Sequence, residues 1–183
     1  MSASDQSSWS IRPDPAEYNV FYGRYVDSVP DGDLVVFLSH QLRRLQQFMA
    51  GEGERVAELS YAENKWTVRQ VMGHILDTEW VFGSRLLRMA RGDGAPLPGM
   101  DHEVFMAHSY VEDRSLAGIM AELSGLRTAV TILMDSLRPD VLTWQGTASG
   151  FPVTVRAQGW ILAGHCEHHM SILKKRYDLP IPD

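Results

Sequence analysis

Residues 163–170 read AGHCEHHM, which places three of the chain's seven histidines within five positions. His165 and His169 are four residues apart. On an α-helix that spacing leaves two side chains one turn apart and about 40° apart around the axis, so both rings can offer a nitrogen to one ion. His168, three after His165, falls about 60° to the other side and diverges. Two imidazoles chelate a metal, but a working site takes a third protein ligand. The best candidate is His74, at the start of GHILDTEW, because a helix interior is an unusual place for a histidine without a partner. A fourth ligand from His168 or Asp77 would close the site and favour a structural ion. Alternatively Asp77, one turn beyond His74, could orient an imidazole as a hydrogen-bond acceptor.

Other chemistries fail on spacing. A zincin motif needs H-E-x-x-H, whereas Cys166 follows His165 and Glu167 comes one place late. No glutamate has a histidine three residues on, which excludes the Glu-x-x-His of di-iron bundles. There is no G-x-S-x-G elbow and no P-loop, and SILK at 171–174 lacks the partner motifs that give S-x-x-K meaning. Cys166 lies about 100° from His165 and reads as a small buried residue. His40, His102 and His108 read as surface or hydrogen-bonded histidines, and Trp80 as packing.

The elements that must position these residues are helical. Leu34, Leu38, Gln41, Leu42, Leu45, Phe48 and Met49 trace one stripe, with Asp31 or Asp33 as cap and Gly51 and Gly53 at the exit. Thr67 and Gln70 form a capping box for a second helix, whose buried face runs through Val68, Val71, Met72, Ile75, Phe82, Leu86 and Met89 to a stop at RGDGAPLPG. A shorter helix is expected around DHEVFMAHSY. Ser115 opens a third long helix with Leu116, Ile119, Leu123, Leu126, Val130, Leu133 and Leu137 inward. Thr154 caps a fourth, running through Tyr177, after a long connection over 138–155. A short helix ending at Pro30 precedes the set. The expectation is an all-α protein: a four-helix bundle with short extra helices at the N-terminus and between the second and third long helices.

With 183 residues, 44% hydrophobic and 22% charged, the chain suits one soluble domain over 13–183, preceded by a flexible polar tail over 1–12. A net charge of −6 argues against nucleic acid as a partner. MSASDQSSWS lacks the features of a signal peptide, and no uninterrupted apolar run suggests a membrane span, so a cytoplasmic location is expected. One cysteine permits neither an intrachain disulfide nor a cysteine-rich zinc module.

Three stretches together resemble the DinB-like (DinB/YfiT) superfamily: YAENKWTVRQVMGHILDTEWVFGSRLLRMARGD, PLPGMD, and TVRAQGWILAGHCEHHMSILKKRY. The similarity runs from about Tyr18 to Tyr177. It implies a four-helix bundle holding a divalent transition metal, zinc or nickel, on His74, His165 and His169, and a homodimer. Characterised relatives include thiol S-transferases using bacillithiol or mycothiol and a mycothiol-dependent maleylpyruvate isomerase. The expected function is therefore transfer of a low-molecular-weight thiol cosubstrate to a small electrophile. Metal-dependent hydrolysis and a non-catalytic metal-binding bundle are the alternatives.

Overall fold

Each long helix begins at a residue whose side chain satisfies amides that the first turn leaves without partners. Asp33, rather than Asp31, accepts from Val35 N and Val36 N at 2.8 and 3.0 Å. Thr67 and Gln70 form the reciprocal box. Ser115 accepts from Gly118 N, and Thr154 from Ala157 N, both at 3.1 Å. In the computed structural model, which describes residues 8–183, the helices are α1 (Gly23–Val26), α2 (Leu34–Glu52), α3 (Val68–Ala90), α4 (His102–His108), α5 (Leu116–Asp135) and α6 (Val155–Arg176).

The four long helices close into a ring in which α3 packs on α5 and α6, and α2 packs on the same two. Two apolar clusters fill its ends. One holds Leu34, Leu38, Phe82, Leu86, Val130, Met134 and Trp160. The other holds Leu45, Phe48, Met72, Ile75, Leu123, Cys166 and Met170. The order in which each helix meets the clusters makes α2 parallel to α6 and α3 parallel to α5, with the two pairs antiparallel. Neighbours in sequence are therefore not always neighbours in the ring, and the long connections cross the bundle ends.

Between the clusters lies a polar layer. Arg127 of α5 donates from Nε and Nη2 to both carboxylate oxygens of Glu79 on α3, at 2.5 and 2.8 Å. Its Nη1 donates to Gln41 Oε1 of α2 at 2.9 Å. Gln41 in turn donates to the Ala163 carbonyl and to Glu167, both on α6. Arg44 completes the chain by binding Glu167 and the Pro182 carbonyl. All four long helices are thus joined at mid-height, with Arg127, Glu79 and Gln41 buried and Arg44 and Glu167 at the edge of the layer. The stripe expected along α5 ran through Leu126; the fully buried position is Arg127.

Some segments differ from expectation. The connection 138–155 contains a 3-10 turn (Pro139–Thr143) and a hairpin of β1 (Gln145–Ala148) and β2 (Phe151–Thr154), paired from Gln145↔Thr154 to Ala148↔Phe151. Its two-residue loop, Ser149–Gly150, has positive φ at both positions (53° and 81°), the geometry that matches strand twist. Four-residue strands are too short to show alternation against a helical background. Residues 8–12 are not tail: Trp9 is buried and donates Nε1 to Met134 O, while Arg12 donates to Val26 O and Val29 O and lies over Trp160. The rest of the expected tail, 1–7, lies outside the described residues. Helix α5, with a mean hydropathy of 1.4, is long and apolar enough to cross a membrane, contrary to expectation, yet it contributes Arg127 to the buried layer.

Breaking a buried ion pair strands one charge, which costs about 3–5 kcal/mol, whereas replacing both partners by apolar groups is often neutral. Arg127→Met should therefore lower urea-unfolding stability by about that amount. The Arg127→Met/Glu79→Leu double variant should regain most of it.

Candidate metal centre

Helices α3 and α6 pack antiparallel, and the polar face between them carries three imidazoles. His74 comes from the second turn of α3, while His165 and His169 occupy successive turns of α6. One ligand atom from each lies within 4.8 Å of the others. His74 Nε2 and His165 Nε2 are 3.1 Å apart. Two nitrogens bound tetrahedrally to zinc at about 2.0–2.1 Å would stand roughly 3.3 Å apart, so this edge already has the dimension an ion requires. The donor set is three nitrogens, which suits a borderline transition metal such as zinc or nickel.

Glycine precedes two of these histidines, and in both cases a neighbour uses the missing side chain. A Cβ on Gly73 would stand 2.6 Å from Val111 Cγ2, so the turn after α4 rests directly on α3. A Cβ on Gly164 would stand 2.0 Å from the Tyr25 carbonyl oxygen, so α1 rests directly on α6. That approach lays the Tyr25 ring against both His165 and His168, with centroids 5.4 and 5.5 Å apart. Trp66 covers His74 at 5.1 Å, its carbonyl held by the Tyr177 hydroxyl.

Burial keeps the three rings neutral. Desolvation, and secondarily the nearby His102, lowers the His74 pKa to about 4. Desolvation lowers His169 to about 3, with His74 and His168 adding to the effect. His165 is held well below its usual value by the same burial, then by His169 and His74. Lone pairs are therefore available for a metal throughout the neutral range. The open side of the cluster faces a cavity of about 350 Å³ whose walls include Tyr22, Phe82, Arg85 and Met100 but no carboxylate.

The remaining expected residues divide. His168 lines the cavity but stands outside the convergent set, as its position on the helix implies. Asp77 does not take the role expected of it. Half-buried on α3, it makes no hydrogen bond to an imidazole among the described residues, and the charges that reach it are those of Arg114 and Glu122. It lies three residues beyond His74, about 60° short of a full turn. Cys166 is buried on the far side of α6 against Arg127, and burial raises its thiol to about 12, leaving it protonated. Trp80 is half-exposed and donates to Glu122 at 2.8 Å rather than packing inside. His102, read as a surface or hydrogen-bonded histidine, is exposed, yet it also lines the cavity with its ring 6.2 Å from His74. Arg85 was missed as well, although it shares with Phe82 the face of α3 that carries His74.

The His169→Ala variant should lose stoichiometric metal, and His168→Ala should keep it, by metal analysis of protein purified without an affinity tag. Acid sensitivity should follow from the lowered values. Unfolded imidazoles take up protons near pH 6.5 and the folded ones resist until about 4 and below, so stability falls as the pH drops through that window. Melting temperatures of the chelated protein from pH 7 to pH 4.5 should fall steadily, and less steeply in His169→Asn.

A family model described as the DinB superfamily matches residues 37–173. Curated proteins yield no match. Among solved structures, YfiT from Bacillus subtilis, described as a probable metal-dependent hydrolase with an unusual four-helix bundle topology, aligns with a TM-score of 0.70. The two chains share 16% identity, and the alignment covers 92% of this chain and 94% of that one. Likeness at that identity concerns the fold.

Proposed function

This chain belongs to the DinB superfamily, and from that premise we propose that it is a metal-dependent enzyme transferring a low-molecular-weight thiol to a small electrophile. His74, His165 and His169 would hold a divalent zinc or nickel ion. The observation that carries this reading is the combination of three convergent neutral imidazoles with a cavity wall that has no carboxylate. A bound divalent cation supplies a Lewis-acid charge that lowers the pKa of a thiol from about 8.5 into the neutral range. A water molecule starts far higher and gains more from a neighbouring general base, and the cavity wall offers no carboxylate for that role.

The chain's own groups divide the remaining work. The imidazoles, neutral through burial, keep the full cationic charge of an ion in place. Tyr25, Trp66 and Phe82 exclude water from the reacting end and offer flat apolar surface to the substrate. His168, half-buried at the edge of the cavity, can accept the proton the thiol releases and pass it to solvent.

A second reading, hydrolysis, has its own support. YfiT is described as a probable metal-dependent hydrolase, and His102 or His168 could take a proton from water in place of a carboxylate. A closed structural ion is less well supported, because neither His168 nor Asp77 joins the convergent set. The homodimer and the cytoplasmic location belong to the same proposal.

The thiol reading is tested by assaying bacillithiol, mycothiol and glutathione against a model electrophile with metal-loaded protein. At least one thiol should react faster than background, and His74→Ala should return that rate to background. Equal rates for wild type and variant with all three thiols would remove the transferase reading. Hydrolysis of an activated ester, lost in the same variant, would then favour the second.

A further inference from the structure

The face of α3 that carries His74 continues through Thr78 and Phe82 to Arg85, and all four line the same cavity. Arg85 is buried, with 5% of its surface exposed. Among the described residues four arginines are buried. Three of them face carboxylates: Arg44 pairs with Glu167, Arg69 with Glu54 and Glu58, and Arg127 with Glu79. Among the described residues no carboxylate lies within ion-pair distance of Arg85.

What surrounds Arg85 is neutral. Nη2 donates to the Pro98 carbonyl at 2.6 Å and to the Ser149 hydroxyl at 3.1 Å. The guanidinium carbon stands 5.3 Å from the Phe82 ring centroid, and the Tyr22 phenol lies beside it. Neutral acceptors and ring faces offset only part of the cost of taking a full charge out of water. A protein retains that cost where the missing anion arrives with a ligand, and arginine's planar fork suits carboxylate and phosphate oxygens.

We infer that Arg85 is the specificity-determining residue of the cavity and binds an anionic group of the substrate, a carboxylate or phosphate, while the reacting atom lies at the histidines. Phe82 sits between the two ends, with its ring 5.7 Å from that of His165 and 5.3 Å from the Arg85 guanidinium. The substrate is accordingly a small molecule whose charged head and reacting atom are separated by about the breadth of one aromatic side chain. This deepens the proposed function and rests on it for the position of the reacting end. The anion-binding end stands on Arg85 and its surroundings alone.

The test compares adipate with its neutral diamide, adipamide, by calorimetric titration of zinc-loaded wild type, Arg85→Gln and Arg85→Lys. Wild type should prefer adipate by at least tenfold, Arg85→Gln should lose that preference, and Arg85→Lys should keep part of it. Ser149→Ala, which removes one of the neutral acceptors, should keep the preference. No preference in wild type, or an undiminished one in a folded Arg85→Gln protein, overturns the assignment. If Arg85→Gln does not fold, a preference in wild type that Arg85→Lys retains in full overturns it equally. Competition of bound adipate by inorganic phosphate and by acetate then distinguishes a phosphate site from a carboxylate site. Zinc content of the same preparations reports on the metal centre separately: protein that takes up no zinc on loading, yet shows the Arg85-dependent preference, counts against the metal reading and leaves the anion site standing.

Discussion

The Arg127–Glu79 ion pair sets the arrangement on which the other parts of this bundle depend. A guanidinium and a carboxylate removed from water tolerate little displacement, since each lost hydrogen bond leaves a charge without compensation. The pair joins α3 to α5, and Gln41 extends it to α2 and to the Ala163 carbonyl of α6. Apolar clusters above and below could slide past one another at modest cost, but the polar layer between them cannot. Helical register in the middle of the bundle is therefore held at one value. The residue that follows Ala163 by two is His165, so the same layer fixes the height of the first imidazole on α6.

With the register fixed, the Gly73–His74 and Gly164–His165 dipeptides control what surrounds the site. Each glycine admits a neighbouring segment closer than any side chain would allow, and at Gly164 that segment lays the Tyr25 ring against the following histidine, His165. Enclosure removes water, and removal of water holds the imidazoles neutral. Neutral nitrogens at metal-ligand spacing follow first from burial, with the neighbouring imidazoles adding to it.

The N-terminal segment contributes more than its composition suggests. Trp9 anchors it beneath α5, and Arg12 ties it to the end of α1. Between these anchors and α2 run Tyr22 and Tyr25, which form part of the cavity wall. Ser149 of the hairpin loop and Met100 supply another part, the hairpin being tied to the segment before Met100 by bonds from Leu97 N to Thr147 O and from Ser149 N to Leu97 O. The cavity is thus assembled on α3 and α6 from segments outside the four long helices. Its charge is arranged asymmetrically, with imidazoles at one end and a guanidinium at the other.

Periodicity and capping chemistry alone determined the four long helices, because a helix stripe and an N-cap are local properties that a short window of residues displays. The pairing of His165 with His169, and the divergence of His168, were equally legible, since both follow from the angle per residue within one helix. Choosing His74 as the third member needed only that it lie inside a capped helix; its approach to within 3.1 Å of His165 required two helices distant in sequence to pack antiparallel. Asp77 shows the limit of the same reasoning. One turn along the chain looked close enough to reach an imidazole, but the remaining roughly 60° of rotation leaves the carboxylate half-buried without an imidazole partner among the described residues. Arg127, Glu79 and Arg85 carry no local signature at all, for a charged residue in a helix reads as solvated until another helix covers it. Tertiary packing decided which charges are buried, which of them have a partner, and so where the site sits.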